Sequence, residues 1–137
     1  MTAPTTNDLI TIATHYLNAL ERGASFDEMS HYYAEDCVQE EFPNRLIPAG
    51  AKRSLADLKA ASERGVKAVE NQRYEILNIF GQRNQVVAEV QWSANVLMPF
   101  GTLKPGDAMR ARFAVFLVFN DQGRIQTQHN YDCFDPF

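Results

Sequence analysis

Apolar residues recur at three- and four-residue steps over the first part of the chain and at two-residue steps over the second half, so helices come first and strands follow. Leu9, Ile12, Ala13, Tyr16, Leu17 and Leu20 form a stripe that predicts an amphipathic helix, with Asn7 or Asp8 as N-cap and Gly23 as its end. Ser25 and Glu28 have capping-box spacing and open a second, short helix with Met29, Tyr32 and Tyr33 on its apolar side. Cys37 to Phe42 has little helical period and stops at Pro43, which predicts a brief strand entering a loop made irregular by Pro43, Pro48 and Gly50. Ser54 then caps a third helix, on which Leu55, Leu58, Ser62, Val66 and Val69 share a face.

From Gln72 the period becomes two. Tyr74, Ile76, Asn78 and Phe80 fall on one face of a strand and Leu77 and Ile79 on the other, with a turn near Gly81 to Asn84. The next strand aligns Val86, Ala88, Val90, Trp92, Ala94 and Val96, and after the Pro99 to Gly106 connection another aligns Met109, Ala111, Phe113, Val115, Leu117 and Phe119. Ala114, Phe116 and Val118 make the second half of that strand apolar on both faces, so something covers it; a second copy of the chain is the candidate, and a homodimer is expected. Beyond the turn at Asn120 to Gly123, parity groups Ile125, Thr127, His129, Tyr131 and Cys133 on the last strand, unless a bulge reverses it and turns Asp132 inward. A strand of about twelve residues spans roughly 40 Å, too long to lie flat in a chain of this size, so the strands must twist and curl. The expected fold is α+β: N-terminal helices packed on a strongly curved antiparallel sheet, cone-shaped around an internal pocket, as one domain over 1–137.

Composition narrows the partners. A net charge of -4 and a pI near 5.3 give no electrostatic reason to approach nucleic acid or an anionic membrane. The small basic groups at Lys52-Arg53 and at Arg110 and Arg112 read as solvated surface. No stretch approaches eighteen apolar residues and the N-terminus lacks a signal-peptide pattern, so a cytoplasmic location is expected. Cys37 and Cys133 lie far apart without metal-type spacing and read as two reduced thiols, and neither metal nor other cofactor is expected.

Seven positions carry candidate chemistry. Glu41 stands where an apolar strand meets a Pro-rich loop, and partial burial there would raise its pKa toward that of a general base; an exposed strand-end carboxylate is the alternative. Tyr16 shares the apolar face of the first helix, so its hydroxyl needs an interior partner, either the core or a ligand. His129 would point inward with Ile125 and could exchange a proton with Glu41 across a pocket, or hydrogen-bond a neighbouring backbone. Trp92 reads as a core anchor, a dimer contact or pocket lining. With Asp132, Tyr33 and Tyr131 they suggest acid–base chemistry on a small apolar molecule, with Glu41, His129 and Asp132 as catalytic candidates and Tyr16, Tyr33, Trp92 and Tyr131 as substrate-binding ones. A noncatalytic small-ligand carrier and a protein-interaction module are the alternatives.

His15-Tyr-Leu-Asn-Ala-Leu20, Tyr32-Tyr-Ala-Glu-Asp36, Gly123-Arg-Ile125 and the closing His129-Asn-Tyr-Asp-Cys-Phe-Asp-Pro-Phe137, in that order and spacing, resemble the nuclear-transport-factor-2-like superfamily, in particular its SnoaL-like branch. The resemblance spans nearly the whole chain and implies the cone-shaped fold. It also implies a cofactor-independent isomerase, polyketide cyclase or lyase-like activity, although the superfamily includes plain binding modules. Set against the ketosteroid-isomerase pattern, Tyr16 falls at the tyrosine donor and Glu41 near the carboxylate base, but apolar Val115 stands where a second, protonated acid belongs. Against the epoxide-hydrolase pattern, Asp132 and Arg112 are possible members of an Asp-Arg-Asp set.

Overall fold

The computed structural model describes residues 2–137. Helix α1 (Thr6–Glu21) begins two or three residues earlier than a cap at Asn7 or Asp8 implies, because Thr5 is the cap. The Thr5 hydroxyl accepts the Asp8 N–H at 3.1 Å, and the Asp8 carboxylate accepts the Thr5 N–H at 2.9 Å. Two otherwise orphaned donors are thereby satisfied at once. Ser25 caps α2 (Phe26–Met29), which passes into a 3₁₀ turn over Ser30–Tyr32. Here the box is incomplete, since the Glu28 carboxylate turns to the Arg22 guanidinium instead of to Ser25. Helix α3 (Leu55–Ala68) has a complete box between Ser54 and Asp57.

Six strands form one sheet in the order β2-β1-β6-β5-β4-β3. They are β1 (Tyr33–Glu41), β2 (Ala51–Arg53), β3 (Val69–Gln82), β4 (Gln85–Val96), β5 (Ala108–Phe119) and β6 (Ile125–Phe134). Every join is antiparallel except β1 with β6, which is parallel, so the sheet is mixed. The brief strand expected at Cys37 starts at Tyr33, and β2 is a three-residue strand too short for any period to show. The helices lie on one side of the curled sheet, in the α+β arrangement that the change of period predicts.

Alternation along β4 and β5 places side chains as read: Val86, Ala88, Val90, Ala94 and Val96 are buried, as are Met109, Ala111, Val115, Leu117 and Phe119. Leu9, Ala13, Tyr16 and Leu17 of α1 close over this floor to form the core. At roughly 2 kcal/mol for each fully buried aliphatic side chain, this layer is the main stabilising element. Gly81 serves the same packing: a Cβ there would lie 2.9 Å from both the Gln85 carbonyl oxygen and the Thr6 methyl carbon.

Parity fails in β3, where the register with β4 slips between Ile76 and Asn78. Beyond the slip Ile79, not Phe80, packs against the core, and Phe80 is left 54% exposed. The α3 stripe fails too. Leu58 is its one buried residue, Val66 is 74% exposed, and Val69 opens β3. Among the described residues no helix is long and apolar enough to cross a membrane.

Candidate functional site

A hollow of about 790 Å³ lies between the concave face of the sheet, the end of α1 with α2, and α3. A bulge in β6 decides which side chains reach it. Phe119 pairs with Ile125 and Val118 with Thr127, leaving Gln126 without a partner on β5. One extra residue exchanges the two faces of everything that follows. Gln128, Asn130, Asp132 and Phe134 therefore line the hollow. His129, Tyr131 and Cys133 face the convex side.

This corrects the expected Glu41–His129 pair. His129 stands opposite Glu40 across the parallel join and meets Phe42 edge-on at 5.4 Å. Tyr131 stacks on Phe42 at 4.7 Å and is 44% exposed, so it too lies outside the hollow. Arg112 is exposed and reaches Gln91, which separates it from Asp132 and leaves no Asp-Arg-Asp set.

Glu41 stays on the concave side, opposite Asn130, but does not line the hollow. Both its oxygens are engaged: Oε1 accepts from Arg53 at 2.9 Å and Oε2 from the Asn44 amide at 2.8 Å. Its side chain is 14% exposed, and that of Arg53 15%. Arg53 also donates to the Gln39 Oε1 at 3.1 Å, and the β1–β2 register, Gln39 opposite Arg53, holds all three together. A carboxylate held in this way is a structural counter-ion.

Tyr16, Tyr33, Trp92 and Asp132 are brought together around the hollow. The two tyrosine hydroxyls are 2.6 Å apart, and Tyr16 donates to the Gln128 Oε1 at 3.2 Å. With its single proton given to Gln128, Tyr16 accepts from Tyr33. Gln128 in turn donates to the Asn130 Oδ1 at 3.0 Å. The relay thus runs Tyr33 to Tyr16 to Gln128 to Asn130, and it leaves the Asn130 amide N–H groups as donors at its cavity end. Burial raises the pKa of both tyrosines, that of Tyr33 most strongly, with the neighbouring hydroxyl adding to it. Both phenols stay protonated at neutral pH.

Asp132 stands in the hollow without such partners. Burial raises its pKa to about 6; the Glu41 charge adds to the rise and Arg53 opposes it. No protein hydrogen bond contributes to its state, and its oxygens are not sealed away, so they face open space in the hollow. It lies two residues along β6 from Asn130, about 7 Å by strand rise. Around it stand Phe113, its partner across the β5–β6 join, with Tyr74, Trp92 and Phe134. Gln72 fixes two of these rings, its Oε1 accepting from Tyr74 at 3.2 Å and from the Trp92 indole at 3.0 Å. A break in β3 register between Glu70 and Arg73, with Asn71 at φ 56°, brings Gln72 to that position.

A stability prediction follows from Asp132. Its unfolded pKa is near 3.9 and its folded pKa near 6, so the native chain holds a proton that the unfolded chain releases. The contribution of Asp132 to stability is greatest below pH 4, falls between about pH 4 and 6, and is constant above. Asp132→Asn is expected to remove that decline and to stabilise the protein at pH 7 by on the order of 2 kcal/mol, discounted for partial exposure. Urea unfolding at pH 4 to 8 checks it; equal differences between variant and parent at every pH would contradict it.

Sequence reasoning missed Gln72, Tyr74, Phe113, Gln128 and Asn130. Gln128 and Asn130 were legible from Asp132 once the bulge is allowed, since they alternate with it; Gln72 depends on the β3 register break and gave no signal.

With this geometry in place, comparison with known proteins identifies the class: the family model described as SnoaL-like domain matches residues 13–128, and the chain belongs to that family. No curated protein matches it in sequence. Among solved structures it is similar to a SnoaL-like polyketide cyclase from Agrobacterium tumefaciens, with TM-score 0.67, 19% identity and 94% of this chain on 91% of that one. It is similar to the BvnE pinacolase from Penicillium brevicompactum, with TM-score 0.73, 18% identity and coverages of 90% and 84%. PrhC from Penicillium brasilianum gives TM-score 0.77 at 14% identity, with coverages of 96% and 83%. At such identities the likeness establishes the fold.

Proposed function

We propose that the protein is a cofactor-independent acid–base enzyme of the isomerase, cyclase or lyase type, acting on a small apolar molecule that carries a carbonyl or hydroxyl oxygen. The observation that carries this reading is Asp132: an open carboxylate with a pKa near 6, facing a walled hollow. Such a group is mostly ionised at pH 7 yet basic enough to take a proton from carbon. The Asn130 amide, held by the tyrosine relay, would bind the substrate oxygen as negative charge grows on it. Asp132 would then return the proton at another carbon or to a leaving group. Convergent polar groups in an aromatic setting favour this over a simple apolar carrier.

The test is solvent deuterium exchange. In D2O the protein is expected to speed exchange at the carbon beside the carbonyl of a bicyclic aromatic ketone such as 2-tetralone, followed by proton NMR. The rate should climb with pH through a midpoint near 6 and level off about one unit above it, as the basic form of Asp132 fills. A rate no greater than that of buffer for a panel of such ketones would count against the proposal.

The convex face belongs to the same reading. Phe42, Phe116, His129 and Tyr131 form an aromatic cluster there, with Val38 46% exposed beside it, and a second copy of the chain would cover it. Sedimentation equilibrium at micromolar protein is expected to give twice the 15.5 kDa chain mass, and Tyr131→Asp to give the single mass. A single mass for the parent would exclude a stable dimer.

A further inference from the structure

Beside the Glu41–Arg53 pair stands an amide that is only half used. Gln39 of β1 is 9% exposed and lines the hollow. Its Oε1 accepts from Arg53 Nη1 at 3.1 Å, and the same nitrogen donates to Glu41 at 2.9 Å. Arg53 has only donors, so it holds the oxygen of the Gln39 amide and leaves the N–H2 end free. Among the described residues that Nε2 has no hydrogen-bond partner, while every sealed-off side-chain nitrogen or oxygen has one. Nε2 therefore keeps accessible surface, and on a residue of the concave face that surface opens into the hollow. A guanidinium on the amide oxygen also makes the N–H groups stronger donors, because the positive charge draws electrons from the nitrogen.

Strand register fixes where this donor stands. Gln39 pairs with Gln128 across the parallel join, and Glu41 pairs with Asn130 two residues on. Strand spacing and rise put the Gln39 and Asn130 backbones about 8 Å apart, with Asp132 about 7 Å beyond Asn130 on the side away from Gln39. Gln128 is engaged with Tyr16 through its oxygen and with Asn130 through its amide, so it belongs to the relay. Gln39 and Asn130 thus present amide donors at two separated points of the concave face, and Asp132 follows them in line. We propose that Gln39 is a specificity-determining residue of this site, its amide binding a second acceptor oxygen of the substrate at the end away from Asp132, and that the Glu41–Arg53 pair is the clamp that positions it. The inference rests on the proposed function, in which Asn130 takes the first oxygen. It adds the substrate class: a ring ketone carrying a second, acceptor-only oxygen across the ring system from the reacting carbonyl.

Isothermal titration calorimetry with 2-tetralone and with its methoxy isomers, one for each aromatic ring position, reads the second oxygen alone. At least one isomer is expected to bind about three- to tenfold more tightly than 2-tetralone, the effect of one added hydrogen bond. Gln39→Met keeps the length of the side chain but has no donor, and should make that isomer and 2-tetralone bind alike. Arg53→Met combined with Glu41→Gln removes the clamp without leaving a buried carboxylate unpaired, and should also shrink the preference. No preferred isomer in the parent, or a preference that survives Gln39→Met, would overturn the proposal. A preference lost in Gln39→Met but kept in the double variant would uphold the donor and overturn the clamp. Exchange of 2-tetralone that depends on Asp132 would, in those cases, leave the acid–base reading standing, whereas no binding of any of these ketones would overturn both.

Discussion

Asp132→Asn is expected to lower the rate of ketone exchange by 10²- to 10⁴-fold, the usual range for losing a positioned general base. Asparagine keeps the shape of the side chain and its place opposite Phe113 but has no basic oxygen. Substrate affinity should change little if, as proposed, the aromatic walls and the Asn130 amide hold the ligand, so the loss should fall in kcat and not in KM. Glu41→Gln makes the contrast. Glu41 has both oxygens bound and lies off the hollow, and its charge helps raise Asp132, so the variant should shift the rising limb of the pH profile to lower pH without abolishing turnover. A fall for Glu41→Gln as large as for Asp132→Asn would reverse the two roles.

The second large effect is structural. Leu117→Asp is expected to unfold the chain. Leu117 has no solvent exposure, lies between Val86 and Gln128 on the concave face, and belongs to the core under α1. An aspartate there loses the apolar contacts and buries a carboxylate with no partner, which costs about 4 kcal/mol or more against a total stability of about 5–15 kcal/mol. Val66→Asp is the comparison. Sequence periodicity gives Val66 and Leu117 the same inward role, yet Val66 is 74% exposed, so its substitution should change stability by no more than about 0.5 kcal/mol. Circular dichroism melts of the two variants check this, and similar behaviour of both would contradict the assigned faces.

That contrast shows where the sequence could be read. Strands β4 and β5 pair without a register shift, so strict alternation named their buried residues correctly. Strands β3 and β6 each carry a bulge, and a single unpaired residue moves every later side chain to the other face, which no local pattern records. For this reason helical spacing locates Tyr16 and parity locates Trp92, whereas parity puts His129 and Tyr131 inside and they belong outside. The α3 stripe failed for another cause: the helix borders an open hollow, so apolar residues on its inner side meet empty space or solvent as well as protein. Glu41 was legible as a carboxylate at a strand end, but Arg53 arrives by way of β2, a strand with no signal of its own.

The proposed chemistry depends on the state of one carboxyl group, and carbon-13 NMR of protein labelled at the aspartate side-chain carboxyl, with Asp132→Asn used for assignment, observes it without any substrate. The Asp132 resonance is expected to titrate with a midpoint near pH 6, above the ordinary range near 3.9, because burial and the Glu41 charge disfavour the ionised form. A midpoint at or below 4 would mean that Asp132 is solvated or paired, and would contradict its assignment as the base of this site.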